Sequence, residues 1–238
     1  MKNHNYEDNY YKIDSYEETN SSSLTLMNRV YLWMTGALAL SALSAYLILR
    51  DEQLLQQCRQ SYFILILIEL GLVFFISWLI DKISASVAGA LFGLYSVFSG
   101  ITLGVIVSAY AQSAILPAFA ATSATFISTS IYGYITKKDL SSIGSFCFMA
   151  LIGLIIASLI NLFLGSPALY WLITYALVIV FIGLTAWDTQ KIKQLSYEYD
   201  PTSETGQKIA ILGALTLYLD FINLFILFLR ILGGGRRN

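Results

Sequence analysis

From Ile83 to Thr136 the chain carries no charged side chain at all. A water-soluble surface cannot be made that way, since about a quarter of the residues of a soluble domain are charged. The stretch is too long for one membrane crossing, which takes ~20 helical residues for ~30 Å of hydrocarbon. It suits two, with a break near Gln112, Ser113 and Pro117. The same reading along the chain gives seven apolar segments: Val30–Leu49, Tyr62–Ile80, Val87–Tyr110, Leu116–Thr136, Ile143–Leu164, Ala168–Trp187 and Ile209–Leu229. They are long, continuous and not alternating, so they read as spanning helices and not as barrel strands. Composition agrees, with 57% hydrophobic and 12% charged residues. The predicted fold class is an all-α membrane protein, a seven-transmembrane-helix bundle with short loops between antiparallel neighbours.

Residues 1–28 form a different zone, an acidic tail with Glu7, Asp8, Asp14, Glu17 and Glu18 and the run Asn20-Ser21-Ser22-Ser23. It begins polar and stays polar, unlike a cleaved leader, and is expected to be a disordered cytosolic segment. The bundle is expected over residues 29–232, with a flexible basic end at 233–238. The loop charges set the orientation. With a cytosolic N-terminus the inner segments hold nine bases (Lys2, Lys12, Arg29, Lys82, Lys137, Lys138, Lys191, Lys193, Lys208), against Arg50 and Arg59 in the outer loops. Arg230, Arg236 and Arg237 follow the seventh span and break the pattern. A net charge of −1 offers no polycationic face, so nucleic acid is not an expected partner. The expected setting is the lipid bilayer of the cell (inner) membrane, with multiple passes.

Two features predict helix packing. Gly89, Gly93, Gly100 and Gly104 are spaced by four, seven and four, which places them within about 60° of one face of the third span. A groove of that kind admits a neighbour's backbone. The fourth span carries Thr122, Ser123, Thr125, Ser128, Thr129 and Ser130, hydroxyls suited to bonding within or between helices.

Chemistry is sought where charge survives inside the membrane. Of fifteen acids, five lie in the tail and seven in or beside loops, leaving Glu69, Asp188 and Asp220. A carboxylate in hydrocarbon costs several kcal/mol unless protonated or paired, and no lysine or arginine inside a span compensates these three. A proton or a bound cation is the expected neutraliser. Glu204, in the turn-rich stretch Tyr199–Gly206, is sixteen residues from both Asp188 and Asp220. A hairpin folding back there brings the two to similar depth, where two acids in low dielectric share a proton. Asp220 also shares a stripe with Gly213, Thr216 and Asn223, which points into the bundle. The plainer alternative is that Asp188 only marks the cytosolic end of the sixth span. The remaining sites carry little: His4 is in the tail, and Cys58 and Cys147 show neither disulfide nor metal spacing.

The segment Gly183-Leu184-Thr185-Ala186-Trp187-Asp188-Thr189-Gln190-Lys191-Ile192 resembles a signature of the Bax inhibitor-1 family, the transmembrane Bax-inhibitor-motif proteins. Ile131-Tyr132-Gly133-Tyr134-Ile135-Thr136-Lys137-Lys138-Asp139-Leu140-Ser141 and Leu217-Tyr218-Leu219-Asp220-Phe221-Ile222-Asn223-Leu224-Phe225 resemble its bacterial branch. The resemblance spans Met27 to Leu232. It implies a central seventh helix and a pH-sensitive calcium leak, with Asp188 and Asp220 as pH sensor, gate and transient Ca²⁺ contact. Glu69 takes the place of an acid on helix two and joins the candidate cation pathway. Some members carry an arginine latch on helix two; here the nearest base is Lys82. Ca²⁺ and protons are thus expected as cargo, with no cofactor and no enzymatic activity.

Two other classes compete. A diaspartyl intramembrane protease also sets two aspartates on adjacent spans, but Leu217-Tyr218-Leu219 precedes Asp220 where such enzymes carry Gly-x-Gly. A non-conducting interaction protein, modulating a membrane protease or a stress or cell-death partner, is the alternative that the resemblance permits.

Overall fold

The structure, a computed structural model, describes the backbone of residues 4–234 and the side chains of residues 24–234. His4, Arg236 and Arg237, discussed above for their side chains, lie outside the described residues. The chain runs α1 (His4–Arg50), α2 (Glu52–Gln60), α3 (Tyr62–Leu79), α4 (Ala85–Val107), α5 (Gln112–Ile135), α6 (Ser141–Leu164), α7 (Pro167–Glu198) and α8 (Glu204–Leu232). Among these, seven helices are long and apolar enough to cross a membrane: α1 over Leu24–Arg50, and α3 to α8.

Several boundaries differ from expectation, each for a local reason. The bundle starts before residue 29, because Leu26 and Met27 are already buried in the core. α5 begins at Gln112 and takes Pro117 into its second turn, where the missing N–H costs a single intrahelical bond, to Ser113. α7 runs on past Trp187 to Glu198. Its added turns bury Thr189, Gln190, Ile192 and Ser196, and polar partners from the α5–α6 loop replace water there. The short α2 was expected only as an outer loop. Its signals are Asp51, whose Oδ1 accepts from the Gln53 and Leu54 amides at 2.9 and 3.1 Å, and Arg59 in the last turn. Asp51 is thus an N-cap, and the basic last turn suits the helix dipole.

Burial separates the layers. In α8, 61% of the most apolar window is buried, against 6% in α3 and in α6. α8 packs on α1, α4, α5 and α7. Phe63, Leu70, Phe74 and Trp78 of α3, and Phe146, Met149, Leu162 and Phe163 of α6, face outward, as side chains dissolved in lipid do. The core around α8 holds Tyr218, Leu217, Leu224 and Ala214, with Phe92 and Tyr95 meeting the Tyr218 ring edge-on.

The glycine groove of α4 receives α1. A Cβ on Gly100 would stand 2.7 Å from Ser41 Cα and from Ser44 Cβ, and one on Gly104 would stand 3.3 Å from Ala45 Cα. A Cβ on Gly89 would stand 2.7 Å from Cη2 of the Trp33 indole. Gly93 differs: a Cβ there would meet nothing nearer than Leu40 Cδ1 at 4.0 Å, and it borders a cavity of about 400 Å³ with Trp33, Gly36 and Leu40. The groove is tight at Gly100 and slack at Gly93.

Candidate functional site

α7 and α8 are joined by a short turn with its own hydrogen-bond logic. Asp200 Oδ1 accepts from the Thr202 amide at 2.8 Å and its hydroxyl at 2.7 Å. These bonds favour the charged form and hold the Asp200 carboxyl below its usual range. Ser203 caps α8, its Oγ accepting from the Gly206 amide at 3.0 Å. Two ties lash this turn to the bundle: Arg29 Nη1 donates to the Pro201 carbonyl at 2.7 Å, and Glu204 Oε1 accepts from the Ala85 amide at 2.6 Å. Glu204 thereby also caps α4, with a negative charge at a helix N-terminus.

Held in this hairpin, Asp188 and Asp220 come together. Their carboxyl groups are neighbours that interact electrostatically, and the Thr185 hydroxyl lies beside Asp220. Asp188 is 9% exposed and Asp220 4%, so neither is solvated as a helix-end acid would be. Asp188 is an interior residue of α7, ten residues before Glu198, and does not mark a helix end. Asp220 Oδ2 is buried without a hydrogen-bond donor. Gly213 sets the helix spacing nearby, since a Cβ there would stand 3.2 Å from Ile192 Cδ1. Thr216 and Asn223, the other members of the small polar stripe, are half-buried and bond back to the Leu212 and Leu219 carbonyls.

The wall around the pair comes from α5 and α1. A Cβ on Gly133 would meet Ala186 Cα at 3.0 Å, so α5 and α7 touch backbone to backbone two residues before Asp188. The Tyr31 hydroxyl lies beside Ser130 and Thr189, whose own oxygens are 3.4 Å apart. Other hydroxyls of α5 turn inward on their own helix, as Thr122 does to Ala118 and Thr129 to Thr125. Gln190 bridges the α5–α6 loop, accepting from the Leu140 amide and donating to the Lys138 carbonyl, both at 2.8 Å. Lys193 Nζ donates to the Tyr134 carbonyl at 2.7 Å and lies over the Tyr134 ring. The base that interacts electrostatically with Asp188 is Lys191, three residues on, which also covers Trp187.

Glu69 has other partners. It projects from α3 toward α4, where the Thr102 hydroxyl donates to Oε1, in electrostatic reach of Tyr95 and Tyr218. The structure therefore unites Asp188 with Asp220 and gives Glu69 a separate environment. No group of three or more His, Cys, Asp or Glu stands ready as a metal cluster among the described residues. The two aspartates supply oxygen donors, the type a hard cation takes, but few of the 6–8 oxygens that calcium gathers. Cys58 and Cys147 are free thiols.

Arg29, Tyr31, Gln190, Lys193 and Glu204 were not legible as site-building residues. Each acts through a partner far away in sequence.

Comparison with known proteins is consistent with this architecture. Over 233 residues the chain is 45% identical to the inner membrane protein YbhL of Escherichia coli K12, covering 96% of this chain and all of the relative. It is 43% identical over 212 residues to a protein of Deinococcus radiodurans, covering 89% and 91% of the two chains. It is 40% identical over 211 residues to a membrane protein of Streptococcus pyogenes serotype M6, covering 86% and 90%. The family described as inhibitor of apoptosis-promoting Bax1 matches residues 24–238, and this chain, a multi-pass helical membrane protein, belongs to that Bax inhibitor-1 family.

Proposed function

We propose that this protein conducts a pH-sensitive leak of Ca²⁺, gated by a proton shared between Asp188 and Asp220. The observation that carries the reading is the buried contact of two carboxyl groups, with Asp220 Oδ2 lacking any donor. Two like charges so placed cannot both persist cheaply, and one shared proton turns their repulsion into a hydrogen bond. That bond joins α7 to α8, so its loss frees α8 to shift against the helices packed on it. Ca²⁺ replaces the proton as counter-charge during passage. Glu69, held by Thr102, serves as a second carboxylate along the path. The protein is neither an enzyme nor dependent on a cofactor in this reading.

The N-terminus is cytosolic, as the lysines beside α4, α6 and α7 require. Single cysteines at Ser22 and Ser203 test this: labelling of either by an impermeant reagent in intact cells overturns it.

Purified protein in liposomes tests the leak. Ca²⁺ entry that depends on pH without any added partner is expected. No flux at any pH from well-folded protein overturns the reading in favour of a non-conducting interaction protein.

A further inference from the structure

The bases at the other end of the bundle are few, and two of them border the same hollow. Arg59 of α2 and Arg230 of α8 line a single cavity of about 830 Å³, where α2, the α4–α5 loop, the α6–α7 turn and the end of α8 converge. This volume is in the range of small-molecule sites, about 300–1,000 Å³. Its lining includes the apolar Val105, Ile106 and Ile226 and the polar Ser108, Asn161 and Ser166. Among the described residues, no aspartate or glutamate lines it.

Among the described residues, neither guanidinium has a carboxylate partner. Arg59 Nη2 donates to Ser108 Oγ at 3.0 Å. Arg230 lies 5.7 Å from the centre of the Tyr170 ring, with the Tyr110 hydroxyl beside both. Serine and tyrosine partners orient an arginine and leave its charge uncompensated. The N-terminus of α7 opens on the same cavity at Ser166 and Pro167, adding the positive end of a helix dipole. Three positive elements and, among the described residues, no acid thus surround one amphipathic hollow.

We infer that this cavity binds a phosphate-bearing anion through Arg59 and Arg230, a chemistry offered both by the headgroup of an anionic phospholipid and by free phosphate. Guanidinium forks match phosphate oxygens in pairs, and Tyr110 and Ser166 border the remaining space. The apolar side chains of the lining suit the first carbons of an acyl chain. The site also accounts for Arg230, a base at the end of the bundle opposite Lys82, Lys138, Lys191 and Lys193: it serves a ligand and not the orientation of the chain.

The test uses the full-length protein in mild detergent, with bound lipid read by native mass spectrometry and a thermal shift measured in parallel. The probes are phosphatidylglycerol, phosphatidylcholine and inorganic phosphate. Wild type is expected to hold phosphatidylglycerol at least about tenfold better than phosphatidylcholine, and Arg59→Gln/Arg230→Gln to lose about tenfold. Arg50→Gln, outside the cavity and stacked on Tyr46, should leave binding unchanged. Displacement of the lipid by inorganic phosphate supports a site for the phosphate group itself; its failure to displace, with the arginine dependence intact, supports a site that needs the whole lipid. Equal binding by wild type and the double variant, or equal binding of both lipids by wild type, overturns the inference. Should the double variant not fold, Arg59→Gln alone decides, since Arg59 is exposed on the short α2.

Discussion

The Tyr218 hydroxyl of α8 lies 2.7 Å from Ser41 Oγ of α1, and Tyr218 is the donor. Ser41 has one proton, and its other two contacts are carbonyl oxygens, Ser96 at 2.7 Å and Ala37 at 3.0 Å. One proton chain therefore ties three helices, α8 to α1 to α4, where all these side chains are buried. Interhelical bonds of this kind in membranes are worth about 0.6 kcal/mol on average and up to about 1.7. Tyr218→Phe and Ser41→Ala should each destabilise the bundle by that order. Their double variant should show a coupling of about 0.5 kcal/mol or more in a denaturing-detergent titration. Strict additivity would show that the bond contributes nothing.

The glycine groove makes a sharper forecast than its periodicity alone. Gly100→Leu should abolish folded yield, since Ser41 backbone occupies the space its side chain needs. Gly93→Leu should be tolerated, because a cavity borders it. Size-exclusion profiles of the two variants decide; equal behaviour would contradict the packing.

For the aspartate pair, Asp188→Asn and Asp220→Asn keep shape and hydrogen-bonding capacity while removing one titrating partner. Both should flatten the pH dependence of Ca²⁺ flux in liposomes, and the double variant should add little to either. Unchanged pH dependence in both single variants would remove the gate assignment.

The α7–α8 turn has its own pH signature. Asp200 titrates below its ordinary value of 3.8, chiefly because the Thr202 amide and hydroxyl bond to its charged form. A lowered carboxyl contributes stability that is fully present above the unfolded value and is lost as pH falls through the folded one. Amide exchange at Thr202 should therefore stay protected from neutrality down to about pH 4 and rise below it. Asp200→Asn should remove that acid transition, and its persistence in the variant would assign it to another group.

The sequence by itself determined the number of membrane helices, their approximate limits and the identity of the intramembrane acids. These follow from local quantities: the length of hydrocarbon a helix must cross and the cost of a charge within it. The equal distance of Asp188 and Asp220 from Glu204 even anticipated their meeting, because a hairpin converts equal sequence distance into equal depth. Tertiary structure decided what depended on a partner. It carried α7 beyond Trp187, since Gln190 and Lys193 find carbonyls on the neighbouring loop and helix end in place of water. It separated Gly100 from Gly93, which share one helix face and differ in what α1 sets against each. It gave Glu69 to Thr102, and it gathered Arg59 and Arg230 from distant parts of the chain into one cavity. Side-chain partners so far apart in sequence leave no periodic trace, and only the packing of the helices brings them within reach.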